Sequence, residues 1–259
     1  MEILIKTERL TRRFGPVTAV DSLDLEVRAG EIYGFLGPNG AGKTTTIRML
    51  TGLLEPTAGR AVICGHDIIT EASRAKALMA YVPDQPKIYG KLTAREFLAF
   101  IADLYRMPPQ LSRERGEQLL AMFSLQERAD ELLEGFSHGM KQKVVLAAAL
   151  IHQPRVLLMD EPTVGLDPRS ARLLKDVLQE LARQGAAVFL STHILEIAER
   201  MCHRVGILKE GRLIAQGSPD ELRHQVGHGE ESLEDIFLEL TAGQESADLI
   251  RSLEEGNGR

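Results

Sequence analysis

Apolar and polar positions along the 259-residue chain change period several times, and each change predicts a different element. Over residues 1–35 short apolar stretches are broken by turn residues: EILIKTERL, then FGPVTAV, then SLDLEVRAGEIYGFLG. That spacing predicts several β-strands, antiparallel at first. A glycine-rich turn follows, then TTTIRMLTGLL at helical spacing, then AVICGHDII as another strand with a turn. From about Glu71 to His152 the period is helical, in EASRAKALMA, TAREFLAFIADLY, ERGEQLLAMFSL and MKQKVVLAAALI, with MPPQLS as punctuation. RVLLMD and AAVFLST are nearly continuous apolar runs, as expected of strands buried on both faces. Between them lies the amphipathic SARLLKDVLQELARQG, ending at Gly185. Helix, strand, helix, strand implies a parallel α/β architecture. Composition shifts near HQVGHGEE, residues 224–231. Beyond it SLEDIFLEL places Leu233, Ile236, Phe237 and Leu240 on one helical face, with Ser232 and Asp235 able to cap it. The final EEGNGR is expected to fray.

Composition adds exclusions. Hydrophobic residues at 44% and charged residues at 26% suit a soluble globular protein. A net charge of -6 offers no whole-molecule attraction for nucleic acid, so no nucleic-acid partner is expected. Cys64 and Cys202 lie far apart with no histidine at metal-ligand spacing. They are expected to be small core residues in a reducing cytosol, not a disulfide or a zinc site. MEILIKTERLTRR is charged from its second residue and lacks a signal-peptide core. No run approaches the ~20 apolar residues of a membrane span. Work at a membrane would therefore need another chain to cross it.

The candidate chemistry starts at GPNGAGKT, Gly37 to Thr44, which fits G-x-x-x-x-G-K-[ST] between an apolar strand and a helix. Its glycines permit successive N–H groups to point inward as an anion nest, and the following helix start adds its dipole. Lys43 is expected to reach the β- and γ-phosphates of a nucleotide, and Thr44 to ligate Mg²⁺. VLLMDEP then ends a buried strand in two acids, 117 residues after Lys43. Strand alternation turns their side chains apart, so they serve different tasks. Asp160 is the expected Mg²⁺ ligand, and Glu161 is free to orient or deprotonate a water. His193 closes FLSTH at a strand end, where parallel sheets bind ligands. One stretch resists local explanation: FSHGMKQK, residues 136–143, opens a helix with two lysines facing the positive end of the dipole.

With these residues in place the chain resembles the ATP-binding subunit of ATP-binding cassette (ABC) transporters, over about residues 4–225 in unbroken order. GPNGAGKTT (Gly37, Pro38, Asn39, Gly40, Ala41, Gly42, Lys43, Thr44 and Thr45) looks like the Walker A loop, and VLLMDEP like the Walker B strand with catalytic Glu161. GLDP, with Asp167, matches the nucleotide-side D-loop; Thr192 and His193 match the switch loop, making His193 a second catalytic residue; Phe14 sits where the family stacks an aromatic ring on adenine. The resemblance implies a P-loop NTPase core with a parallel sheet, an antiparallel β subdomain and an α-helical signature subdomain. It implies a nucleotide-binding domain over 1–225, its helical part about 86–153, and a C-terminal helical tail over 226–259.

FSHGMKQK falls at the family signature, usually LSGGQ, which contacts the γ-phosphate held by a second subunit paired head to tail. Ser137 and Gly139 match and are the implied phosphate contacts; His138 and Met140 depart. A second departure is YVPDQP: the glutamine that senses Mg²⁺ in the family is either Gln85, shifted by one, or is replaced by Asp84. LEDIFLEL, DPRSA and SHGMKQK together resemble one branch, separate ATPase subunits that serve multi-span export permeases. ATP and Mg²⁺ are the implied cofactors. A multi-span permease and a second copy of the chain are the implied partners, at the cytoplasmic face of the membrane. A soluble ATPase of the wider superfamily, acting on ribosomes or DNA ends, is the alternative. Only 94 residues separate Lys43 from Ser137, without heptads, against the DNA-end version. Ribosome-acting members usually fuse two cassettes, and one is visible here. An Asn-Lys-x-Asp base-reading motif is absent, against a GTPase.

Overall fold

The computed structural model describes residues 1–226 and 233–241. In chain order they form β1 (Ile3–Phe14), β2 (Val17–Arg28), β3 (Ile32–Leu36), α1 (Lys43–Leu50), β4 (Ala58–Ile63), β5 (His66–Asp67), α2 (Ala72–Ala77) and β6 (Met79–Val82). Then come α3 (Ala94–Leu104), α4 (Pro109–Met122), α5 (His138–Leu150), β7 (Val156–Asp160), α6 (Pro168–Arg183) and β8 (Ala187–Thr192). The last elements are α7 (Leu195–Met201), β9 (Arg204–Lys209), β10 (Arg212–Gly217), α8 (Pro219–Val226) and α9 (Leu233–Thr241). One antiparallel sheet has the order β2-β1-β4-β5; the other, β10-β9-β3-β8-β7-β6, is parallel except for edge strand β10.

The central strands explain the layering. Every residue of β3, β7 and β8 is buried. Alternation sends their side chains into two cores. Leu157, Met159, Val188 and Leu190 join the core under the helices, while Val156, Leu158, Ala187 and Phe189 join the core under the antiparallel sheet. At roughly 1.5–3 kcal/mol per buried large apolar side chain, these two faces hold the layers together. Helix α6 covers its side with Leu174, Leu178 and Ala182, one turn apart. α3 starts on a capping box in which Thr93 and Glu96 bond each other's backbone N–H groups. It packs with α4 and α5 as a helical layer.

Three stretches depart from the expected pattern. EASRAKALMA is not one helix: α2 stops at Ala77, and Met79–Val82 is a strand parallel to β7. Pairing with β7 overrides the helical preference of the alanines. α4 opens inside MPPQLS, because Pro109 stands in its first turn, where a proline has no helical N–H to lose. β9 and β10 answer to no predicted element. In the tail, Leu233 and Ile236 are fully buried as expected, and α9 packs on α7 and α8. The expected cap at Ser232 and the frayed end lie outside the described residues.

The helical layer is tied to β6 by His152, whose ring stacks on Tyr105 at 3.5 Å between centroids. Tyr105 Oη donates to the Met79 carbonyl at 3.3 Å, and His152 Nε2 lies 3.2 Å from the same oxygen. Burial pushes the His152 imidazole down to about 4; the Met79 carbonyl opposes this and Arg115 adds to it. The unfolded chain therefore binds a proton in a range where the folded one does not, so this stability is complete above pH ~6.5 and lost as pH falls towards 4. Urea denaturation at pH 7 and pH 4.5 is expected to show a loss of about 2 kcal/mol that is absent in His152→Gln.

Candidate active site

The parallel register lines up the chemistry at one edge. Leu36 pairs with Thr192 and Asp160 with Ser191, so β3, β7 and β8 end side by side. The loop after β3 is wedged against its surroundings. A Cβ at Gly37 would lie 2.6 Å from the Leu208 carbonyl oxygen. One at Gly42 would lie 2.3 Å from the Ala19 oxygen, and Gly42 has φ +109°. Gly42 caps α1 with no side-chain bond, and no acid stands in the first turn. The N–H groups of that turn thus face an incoming anion. Lys43 curls back across the loop: its Nζ donates to the Gly37 oxygen at 2.7 Å and the Pro38 oxygen at 3.2 Å. Burial lowers its pKa, while Glu161 and then Asp160 act in the opposite sense.

Asp160 is 1% exposed. Its Oδ1 accepts from Ser191 Oγ at 2.5 Å, and its Oδ2 is buried without a hydrogen-bond partner among the described residues. A buried carboxylate oxygen with nothing to accept from is costly unless a cation or donor completes it. Together with the half-buried Thr44 hydroxyl at the start of α1, this donor set fits Mg²⁺. Glu161 follows in a left-handed turn, φ +47°, a strained backbone for a non-glycine residue. Its N–H donates to the Ser191 carbonyl at 3.1 Å. Its carboxylate bridges two candidates, with Oε2 2.9 Å from His193 Nδ1 and Oε1 3.9 Å from Lys43 Nζ. Lys43, Asp160, Glu161 and His193 therefore converge from three segments.

Other predicted residues stand around this centre. Pro38, Asn39 and Gly40 are exposed on the loop, Ala41 is buried, and Thr45 is half-buried beside Thr44. Phe14 ends β1 with its ring half exposed. Asp84 and Gln85 are both exposed beside a groove of about 690 Å³. Tyr81, in the same groove, has its phenol pushed up to about 12 by burial first, then by Asp160 and Asp84, with Arg48 opposing them. Asp167 caps α6, accepting from the Arg169 and Ser170 N–H groups and from Ser170 Oγ. Ser137 caps α5 by accepting from the Met140 N–H at 3.3 Å. Among the described residues no hydrogen bond or ion pair joins Ser137 or Gly139 to the Lys43 cluster. His138 opens α5 in ordinary helical geometry. A Cβ on Gly165 would meet the His138 ring at 2.8 Å, so the start of α5 and the loop before α6 touch within one chain. Met140 Sδ accepts from Arg128 Nη1 at 3.2 Å.

Sequence reasoning missed Ser191, whose hydroxyl holds Asp160. The available signal was a hydroxyl residue inside the apolar run AVFLST. It also missed Arg12, whose guanidinium lies over the Phe14 ring.

The family described as ABC transporter matches residues 20–164. The chain belongs to the ABC transporter family. It is an ATP-binding cassette of that family of ATPases. The ABC transporter ATP-binding protein YbhF of Escherichia coli is 35% identical over 242 residues, 92% of this chain and 42% of its own length. The chain thus spans about two fifths of that relative. The Nod factor export ATP-binding protein I of Ralstonia nicotianae is 40% identical over 225 residues, 86% of this chain and 70% of its own. The solved structure of an ATP-binding subunit of an ABC transporter superposes with a TM-score of 0.88 at 35% identity, covering 92% of this cassette and 99% of that chain. The mixed α/β architecture is accordingly that of the P-loop cassette.

The loop's tolerance is testable through Gly42. Gly42→Ala must relieve a 2.3 Å approach to backbone in a left-handed conformation. It is expected to lose more than about 2 kcal/mol in urea denaturation and to weaken nucleotide binding in the same preparation.

Proposed function

We propose that the cassette hydrolyses MgATP and passes the resulting motion to a separate membrane permease. The observation that carries this reading is the convergence of Lys43, Glu161 and His193 beside the orphaned Asp160 Oδ2. Entering phosphate oxygens offer Lys43 charged acceptors in place of the Gly37 and Pro38 carbonyls. The α1 N–H groups and the exposed loop from Pro38 to Gly40 cradle the same phosphates. Thr44, Asp160 and Gln85 hold Mg²⁺, which when bound neutralises charge on the phosphate oxygens. Glu161 accepts the proton of a water aligned with the γ-phosphate, and its bond to His193 fixes its direction. Through that bond His193 keeps Glu161 in place beside the γ-phosphate, and Phe14 stacks on adenine.

Two copies of the chain act together. Ser137 and Gly139 of each copy, at an α5 start with no acid in its first turn, complete the phosphate site of the other, and Asp167 lies in the same interface. On this reading the odd composition of FSHGMKQK has a cause: its positive helix end serves a phosphate its own chain does not hold. The groove beside Asp84, Gln85, Lys87, Phe97 and Ile101 receives a multi-span permease, which holds the cassette at the cytoplasmic face of the membrane. No helix among the described residues is long and apolar enough to cross a membrane. The relative named for Nod factor export supports export as the direction. We take residues 1–225 as the nucleotide-binding domain, about 86–153 as its helical part, and the remainder as a tail.

Steady-state ATPase assays and equilibrium ATP binding on Ser137→Ala and Glu161→Gln test the chemistry. Both variants are expected to bind ATP, with hydrolysis reduced about 100-fold or more. Wild-type turnover in Ser137→Ala would overturn the trans-acting signature. Purification of the tagged protein from detergent-solubilised native membranes with MgATP is expected to bring down a stoichiometric multi-span partner. Recovery with ribosomes alone would replace the permease reading.

A further inference from the structure

We propose that Arg12 is a positioning residue for the nucleotide base, bracing the back of the Phe14 ring so that only its other face is open to adenine. The inference rests on the nucleotide reading above and extends it to a residue outside every motif. Arg12 and Phe14 are two apart on β1 and so share a face of that strand. The Arg12 guanidinium carbon stands 4.6 Å from the ring centroid, a close cation–π contact. Its Nη1 donates to the Glu55 carbonyl at 2.8 Å, which anchors the guanidinium to the segment following α1. Between them, the Arg13 N–H donates to Thr57 Oγ1 at 3.0 Å and pins the strand.

Two further facts leave the ring and the Glu55 carbonyl as the partners of this guanidinium. Arg12 forms no ion pair with a carboxylate among the described residues. Its Nε is buried with no hydrogen-bond partner among the described residues while the guanidinium lies on the aromatic face. Phe14 remains 47% exposed although one face is covered. What is left is the surface a flat base requires. A fixed ring loses less freedom when a base stacks on it, and a cation behind it favours the electron-rich face of a purine.

The test uses equilibrium ATP binding with inorganic tripolyphosphate as a base-free competitor. Arg12→Ala is expected to raise the Kd for ATP about three- to five-fold and leave tripolyphosphate affinity unchanged. Arg12→Lys, which keeps a cation, is expected to recover part of the loss, and Arg12→Met, which keeps the apolar stem, none of it. The chain has no tryptophan, so Phe14→Trp supplies a single tryptophan at the stack, which can be excited apart from the four tyrosines. Its quenching by ATP is expected to shift to higher concentration when Arg12→Ala is added. Equal ATP affinity with and without Arg12 would overturn the proposal. So would a parallel loss for tripolyphosphate, which would locate the effect in the phosphate loop. Tighter ATP binding in Arg12→Ala would also overturn it, since the guanidinium would then occupy the face the base takes. Failure of the unmodified protein to bind ATP would bring down the nucleotide reading and this inference together. Normal binding there with an unaltered Arg12→Ala brings down this inference alone.

Discussion

Burial of β3, β7 and β8 on both faces is the constraint on which the rest depends. A strand with a core on either side has no solvent-facing row for polar side chains, so its chemistry is pushed to its ends. β3 passes from five buried residues directly into the glycine loop, β7 ends in Asp160, and β8 ends in Ser191 and Thr192. The parallel register brings those ends into one row. Loss of packing at Phe189 or Leu190 would therefore disturb the site through the register.

The row is built with unmet demands. Gly42 leaves the start of α1 without a side-chain cap, Asp160 keeps one buried oxygen without a donor, and Glu161 sits in a strained left-handed turn. Each would be selected against in a site that only had to be stable. Together they leave open groups of both signs at one place, where the proposed phosphate and metal would satisfy them. Lys43, drawn towards loop carbonyls on one side and Glu161 on the other, holds the intervening space.

The helical layer stands differently towards this centre. The turn that opens α5 reaches the loop before α6 through His138 and Gly165, and Met140 is engaged by Arg128. Met140 is therefore spent on packing within the helical layer, and Ser137 is left as the exposed hydroxyl. The Tyr105–His152 stack ties the same layer to β6, beside the groove that runs past Gln85. The start of α5, the groove and the sheet are thus joined by short, specific contacts.

Much of this was legible in the chain because the signals are local. A phosphate loop needs its glycines and lysine in consecutive order, a buried strand needs an unbroken apolar run, and the Asp160–Glu161 pair is adjacent in sequence. Those features determined the α/β class, the loop and the candidate acids, and they carried the family resemblance. Local signals failed where pairing chose the outcome. Met79–Val82 follows a helical period and becomes a strand because β7 supplies its backbone partners. Ser191 and Arg12 look like ordinary polar residues until the fold brings Asp160, 31 positions away, and the face of Phe14 against them. Which polar atoms are satisfied, and which are left open for a ligand, depends on contacts across the sheet and between layers. The tertiary structure alone decides that, because hydrogen bonding and burial are properties of neighbours in space.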